Sequence, residues 1–519
     1  MTAPRIRRAL GWLPHPARFL RKTRRWRAQR RALPAYRDAL ARGELLAEAG
    51  PLPPRGLISV AMPVFRVREA HLRAAIASVR AQTWTDWELV VVDDASPDAH
   101  VARVFAEAAA DPRVRVVRRA TTGGISRASD DAVAHARADF VAFLDHDDEL
   151  HPRALEMAAR ALASHPDTDW LFSDEDKLDE DGRHSQPMLK PGWSRHLLLG
   201  FNLVSHLRVV RRATIGHVGG HRPEYDGAQD YDLALRVLAA GGSFRHLPGP
   251  LYHWREVRGS MARFGSAKPQ ANARALAALR EHARGFPRGG AVSAGVLVQP
   301  ANVFRVRRAA DDGLSIAVAA REAATFGRTE PGRRRARHLP LEDRSPGALV
   351  AAARTCDDDV VLTPPEAGLA ARDVEELLAL LQVPGTAAAA GCLATGNTVV
   401  SSGWVVNEEG LAVDPWRGLA LPDPGYLNLA LLPGRRTLPP PCGWAAWRAD
   451  LLEAWDSAPD AEDRWRLAVG WARLGREVVA TPDATVEWEG SPVEPPLTPV
   501  PGDLPRTPMD RLARFGLLP

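Results

Sequence analysis

The sequence predicts an α/β protein with a mostly parallel sheet, built twice along one chain. Three observations predict it. From residue 57 onward, short apolar runs alternate with stretches of helical spacing, the pattern of a sheet covered on both faces. Several runs end in acidic clusters, and open α/β sheets bind ligands at the carboxyl ends of their strands. The second half of the chain also weakly repeats the first.

The elements follow in order. Pro51-Leu52-Pro53-Pro54 closes a leader over residues 1–56. Ile58–Val64 (ISVAMPV) reads as a buried strand, Glu69–Gln82 as a helix, and Glu88–Val92 (ELVVV) as a strand ending at Asp93-Asp94-Ala95-Ser96-Pro97. Val101–Ala110 reads as helix, Val114–Val117 as strand and Ser126–Ala136 as helix. Asp139–Leu144 (DFVAFL) is a strand that runs into Asp145-His146-Asp147-Asp148. Pro152 then opens a helix to Ser164 at a favoured first position. Trp170–Phe172 precedes a third acidic strand end, Ser173-Asp174-Glu175-Asp176-Lys177, and Tyr231–Ala239 is a helix after Gln229-Asp230.

The repeat matches Phe143–Glu149 to Val361–Ala367, each before a helix, so Thr363-Pro364-Pro365 faces the acidic triplet. A second match pairs Gln229-Asp230, Gly241-Gly242 and Tyr252-His253-Trp254 with Glu462-Asp463, Gly475 and Val486-Glu487-Trp488. The copy keeps the apolar skeleton and loses most acids. The expected organisation is a leader (1–56), a first α/β domain (57–262), a connector (263–308), a degenerate second α/β domain (309–490) and a Pro-rich tail (491–519).

Composition bounds the function. The chain has 519 residues, 45% hydrophobic and 25% charged, which excludes a disordered chain, a collagen-like fibre and a disulfide scaffold. Cys356, Cys392 and Cys442 form no CxxC motif and suit a reducing compartment. No apolar stretch is long enough to span a membrane, and arginines interrupt every candidate signal core. Net charge is +5, yet residues 1–50 alone hold 13 basic residues against Asp38, Glu44 and Glu48, so the rest is mildly acidic. The run Arg21–Arg31 is interleaved with Trp26 and follows Leu10, Trp12, Leu13, Phe19 and Leu20. Such a helix lies on anionic lipid, or packs on an acidic patch of its own protein. No nucleic-acid signature accompanies it, so no nucleic-acid partner is expected. The expected place is cytoplasmic, with the leader docking peripherally on the inner face of the cell membrane.

The chemistry concentrates at the strand ends. Three carboxylates within four residues (Asp145, Asp147, Asp148) raise one another's pKa unless a cation neutralises them. Alternation would turn Asp145 and Asp147 to one side, as hard oxygen ligands for Mg²⁺ or Mn²⁺. The plainer alternative is a solvated helix start. Asp93-Asp94 can accept hydrogen bonds from a ribose or base, or form an Asx turn. Gly123-Gly124-Ile125-Ser126-Arg127 can offer amides and a guanidinium to a phosphate, or make an ordinary turn. Asp230 reads as a general base or a helix cap, and His253 as a metal ligand or a core residue.

Taken together these motifs carry a resemblance. In order, SVAMPVF, AIASVRAQTWTDWELVVVDDAS, GGIS, FVAFLDHDDELHPRAL, FSDEDK, KPGWS, GAQDYDLALR and YHWR resemble an inverting family-2 glycosyltransferase of the GT-A fold, in the branch acting on rhamnan, O-antigen and other cell-surface glycans. The resemblance implies a nucleotide-diphosphate sugar donor, a divalent Mn²⁺ or Mg²⁺, and a glycan or lipid-linked acceptor. It implies base and ribose contacts near Pro63, Phe65, Asp93 and Asp94, with Arg127 and Asp145 on the donor, Asp145 and Asp147 on metal, His253 by the metal or diphosphate, and Asp230 as base. Asp174, Glu175, Trp193, Gln229 and Trp254 fall to the acceptor side or its surroundings. Phe65, where tyrosine is frequent, and Thr122 and Asp130, where asparagines are frequent, depart from the pattern. The second half resembles a further domain of this type, with Glu487 replacing His253 and Asp463 intact. It is expected to be catalytically dead and to bind acceptor glycan or a partner. Two rival classes fit less well. A sugar-nucleotide nucleotidyltransferase would need a glycine-rich, lysine-bearing phosphate loop, and a non-catalytic glycan-binding scaffold would tolerate loss of the acids.

Overall fold

The computed structural model describes residues 31–46, 50–179, 181–256, 269–286, 291–294, 304–307, 313–323, 327, 334–396, 398–407, 412–414, 417, 434–436, 439–440, 442–487 and 506–507. Most of the basic leader and nearly all of the tail lie outside the described residues.

The front unit is one mixed sheet between two helical layers. Its strands are β1 (Ile58–Val64), β2 (Trp87–Asp93), β3 (Val114–Arg118), β4 (Phe140–Phe143), β5 (Glu149–Leu150), β6 (Trp170–Leu178), β7 (His184–Met188), β8 (Arg208–Arg211) and β9 (Phe244–Arg255). They lie in the order β3-β2-β1-β4-β8-β6-β9-β5, with β7 a hairpin partner of β6. β1 runs parallel to β2 and β4, while β8 runs antiparallel to both β4 and β6. The sheet is thus mostly parallel, with reversed strands at β8, β7 and the short β5.

Burial explains why these segments fold so. All seven residues of β1 and of β2 are buried, as expected of central strands covered on both faces. Val60, Met62, Leu89 and Val91 point into one core, with helices α1 (Glu69–Arg80), α2 (Ala99–Ala108) and α4 (Ala154–Ser164). Ala61, Val90 and Val92 point into the other, with α3 (Ile125–His135), α7 (Gln229–Ala239) and α8 (Pro269–Arg284). Each fully buried Val or Leu contributes roughly 1.5–3 kcal/mol.

Three expectations needed adjustment. The helix after β4 starts at Ala154, and the helix expected at Tyr231 starts at Gln229. More importantly, Asp174, Glu175 and Asp176 do not end a strand. β6 continues through them to Leu178 because each carboxylate finds a partner inside the protein.

Residues 31–41 are helical and pack on the front unit. The Tyr36 hydroxyl donates to Asp176 at 2.7 Å, Arg37 Nε donates to the His184 carbonyl at 2.7 Å, and Leu45 is buried. No described helix is long and apolar enough to cross a membrane.

The rear unit repeats the front. Its sheet order is β13-β12-β14-β20-β15-β21-β19, where β12 is Ile316–Ala320, β13 Ala336–Pro340, β14 Val360–Thr363, β15 Thr386–Thr395, β19 Gly434–Arg436, β20 Trp444–Trp447 and β21 Glu477–Glu487. Those first six strands follow the order and directions of β2-β1-β4-β8-β6-β9. The hairpin partner recurs too, as β16 (Thr398–Ser401) on β15. All three cysteines are buried thiols of this unit.

The hydrogen bonds correct the repeat's register. Arg212 N donates to Asp139 O in the front, and Arg448 N to Asp359 O in the rear. Asp145 therefore corresponds to Pro365 and Asp147 to Ala367, a shift of two residues from the match on apolar residues. The helix ends correct the second match by one. Gly242 N bonds Val237 O as Arg476 N bonds Trp471 O, so Asp230 corresponds to Arg464 rather than Asp463.

Candidate active site

The acidic motif sits where β4 leaves the sheet. Asp148 is buried and committed to the fold: its carboxylate accepts from the Tyr252 hydroxyl at 2.6 Å and from Arg255 N at 2.8 Å. Asp145 and Asp147 are half-buried, and their side chains accept no hydrogen bond from any described residue. Asp145 is ringed by protein atoms, and that desolvation pushes its carboxyl above the usual range. The Arg208 guanidinium pulls it down and Asp147 pushes it up again.

Arg208 and Asp230 complete the cluster. Arg208 is buried at the start of β8, with its guanidinium 4.7 Å from the Phe143 ring centre. Its Nη1 stands 3.6 Å from Asp230 Oδ2, while its Nε has no hydrogen-bond partner. Asp230 lies in the first turn of α7. Asn202 Nδ2 donates to its Oδ2 at 2.8 Å and Tyr231 N to its Oδ1 at 2.8 Å. Ala228, not Asp230, is the cap of that helix, so the capping alternative does not hold. One buried cation thus gathers a carboxylate from the end of β4 and another from the start of α7.

The β1 and β2 rim borders this cluster. Pro63 is buried and its carbonyl lies 3.1 Å from His146 Nδ1, while Phe65 is exposed. Arg66 (φ +50°) and Ala95 (φ +58°) are left-handed without being glycine, a strain that concentrates at functional rims. Asp93 closes the Asx turn, accepting from Ser96 N at 2.9 Å, and pairs with Arg118 at 3.3 Å.

Several expected contacts go elsewhere. Asp94 accepts from Thr122 Oγ1, Gly123 N and Gly124 N at 2.7–2.9 Å and pairs with Arg119. Ser126 N and Oγ donate to Asp226. The Gly123-Gly124 amides and the start of α3 are therefore held by protein carboxylates and do not await a phosphate. Gly124 adopts φ +86°, and a Cβ there would meet Asp226 Oδ2, so the turn needs glycine. Arg127 projects from α3, exposed.

His253 does not join Asp145 and Asp147. Tyr252 reaches Asp148, so its neighbour on β9 faces the other side of the sheet. There His253 Nδ1 lies 2.6 Å from Asp176 Oδ1. Asp174 and Glu175 are buried structural acids. Asp174 accepts from Lys190 N and Gly249 N and contacts His246 at 2.8 Å, and Glu175 lies 3.5 Å from Lys190 Nζ. Gln229 accepts from Gly227 N, and Trp193 stacks on Phe244 with ring centres 4.3 Å apart. Trp254 shares the Tyr252 face, with its ring 5.6 Å from His206. Arg208, Asn202 and Tyr252 escaped the sequence reading. The one available signal was Arg208 leading an apolar strand, Arg-Val-Val-Arg, with no acid beside it.

Comparison with known proteins decides the family. Residues 59–215 match the family described as Glycosyl transferase family 2. The front unit is a family-2 glycosyltransferase domain. An uncharacterised protein of Sinorhizobium fredii, y4gI, is 42% identical over 262 residues, covering 50% of this chain and 28% of that protein. The O-antigen biosynthesis protein RfbC of Myxococcus xanthus is 43% identical over 229 residues, covering 44% of this chain and 18% of that protein. This chain thus spans well under a third of either relative. Staphylococcus aureus TarS, solved with UDP-GlcNAc, aligns at TM-score 0.36 and 18% identity over 44% of this chain and 66% of that one.

Proposed function

We propose that the front domain moves a sugar from a nucleotide-diphosphate donor onto a hydroxyl of a cell-surface glycan or lipid-linked acceptor, with inversion at the anomeric carbon. The observation that carries this reading is the Asp145–Arg208–Asp230 cluster at the carboxyl rim of a family-2 domain. Asp230 takes the proton of the attacking hydroxyl, a role worth about 10²–10⁴-fold. Asn202 and Arg208 hold one of its oxygens, which fixes where the other meets the acceptor. Phe65, exposed beside the strained Arg66, offers a face for the donor base. No covalent sugar–enzyme stage is needed, so the product has the opposite anomeric configuration from the donor.

The residues fit a divalent cation. Asp145 and Asp147 offer hard oxygens without protein hydrogen-bond donors among the described residues, and their like charges call for a counter-ion. Such a cation, Mn²⁺ or Mg²⁺, supplies charge neutralisation for the departing diphosphate. The leader docks on anionic lipid through the basic residues before the packed helix of residues 31–41, and liposome co-sedimentation unchanged by deleting residues 1–30 would end that part of the reading.

The test is Asp230→Asn. Donor binding by calorimetry stays within threefold of wild type, and nucleoside diphosphate release falls at least about a hundredfold. Equal loss of both would make Asp230 a structural residue. Release of pyrophosphate from a nucleoside triphosphate would move the protein to the nucleotidyltransferases.

A further inference from the structure

The far side of β9 carries a second cluster that the transfer reaction does not use. Asp176 on β6, His184 on β7 and His253 on β9 bring one ligand atom each within 4.8 Å of the others. Asp176 Oδ1 lies 2.6 Å from His253 Nδ1, and its Oδ2 lies 3.0 Å from His184 Nδ1. The two imidazoles meet edge to face, with ring centres 4.5 Å apart. Asp176 and His253 are buried, while His184 is half-buried on the hairpin. The Tyr36 hydroxyl donates to the same carboxylate and orients it, as outer-shell partners orient metal ligands.

We propose that Asp176, His184 and His253 form a zinc site that is separate from the sugar-transfer rim and clamps the leader-side helix to the front domain. Two imidazoles and one carboxylate with an open fourth position match Zn²⁺, whereas Mg²⁺ prefers oxygen alone. Tetrahedral Zn²⁺ with bonds near 2.0–2.1 Å sets its ligand atoms roughly 3.3 Å apart. The present contacts of 2.6 and 3.0 Å are shorter than that by about 0.7 and 0.3 Å, so binding parts both imidazoles from the carboxylate. The site joins β6, β7 and β9, and Tyr36 extends the clamp to residues 31–41. Asp176, His184 and His253 gather their ligand atoms without Asp145 or Asp147.

The test uses the untagged full chain, stripped with EDTA and titrated with ZnCl₂ by calorimetry, with zinc per chain counted by mass spectrometry after gel filtration. Wild type should retain one equivalent and melt at higher temperature with zinc than without. His184→Ala, at a half-exposed hairpin position, and the isosteric Asp176→Asn should each lose that equivalent and the thermal shift. Tyr36→Phe should weaken uptake roughly tenfold or more. Asp147→Asn should keep the zinc, which separates this site from the transfer reaction. No retained zinc in wild type, or equal retention in His184→Ala and Asp176→Asn, overturns the proposal.

Discussion

The two units share a skeleton and differ at almost every charge the site uses. The hydrogen-bonded registers set Pro365 opposite Asp145, Ala367 opposite Asp147, Trp444 opposite Arg208 and Arg464 opposite Asp230. On the other face, Ala394 and Glu487 stand where Asp176 and His253 stand. An ion pair unrelated to the site survives with its signs exchanged. Glu88 on β2 pairs with Arg137 just before β4, and Arg337 on β13 pairs with Asp358 just before β14. The groups at the rim have no such exchanged pair among the described residues. The packing skeleton is therefore common to both units, whereas the acids and Arg208 of the front rim have no counterpart in the rear one.

That contrast can be broken by experiment. The largest effect expected is at the acidic motif. Asp147→Asn should lower sugar transfer by about a thousandfold or more in a donor assay, because a lost metal ligand removes charge neutralisation worth several kcal/mol. Glu366→Gln, the sole acid in the matching rear segment, should leave the rate within twofold. A rear-unit activity surviving Asp147→Asn would refute the one-sided picture. The next test pairs the helices. Asp463→Asn should leave turnover unchanged, against a hundredfold or greater fall for Asp230→Asn, because Asp463 sits one position off the base and the helix turns it about 100° away.

A smaller effect is expected at Glu88. Burial would raise its carboxyl, but Ser59, Arg137 N and the Arg137 guanidinium outweigh it and leave the group below its ordinary value. A depressed folded value means the stabilisation is present above the unfolded carboxylate range and is lost as pH falls through the folded value. Glu88→Gln should cost about 1–3 kcal/mol near neutrality. The gap to wild type should close in melts taken at falling pH, and a gap constant down to acid would show that charge is not involved. The smallest is Tyr36→Phe, about 1 kcal/mol in urea titrations of the zinc-free protein.

The front fold was legible because central parallel strands are unbroken apolar runs. ISVAMPV and WELVVVD are buried at every position. The repeat was legible as a pattern but not in register. Matching Phe143-Leu144 to Val361-Leu362 slips by two, a slip that keeps strand alternation intact and that only main-chain hydrogen bonds expose. Asp145, Asp147 and Asp230 were legible as acids at element ends. His253 was misplaced because the β6–β9 ladder shifts register at Asp174 and Glu175, so the facing of β9 could not be counted from the motif. Arg208 and Asn202 were hidden because their partners lie 22 and 28 residues away in sequence.

The short helix Arg195–Gly200 touches both units. His196 Nε2 lies 2.9 Å from Thr386 Oγ1 of the rear sheet, and rear Val383 enters the front core. Two residues past the helix, Asn202 donates to the Asp230 carboxylate. The rear unit is thus a splint for the stretch of chain that carries Asn202 to the Asp230 carboxylate.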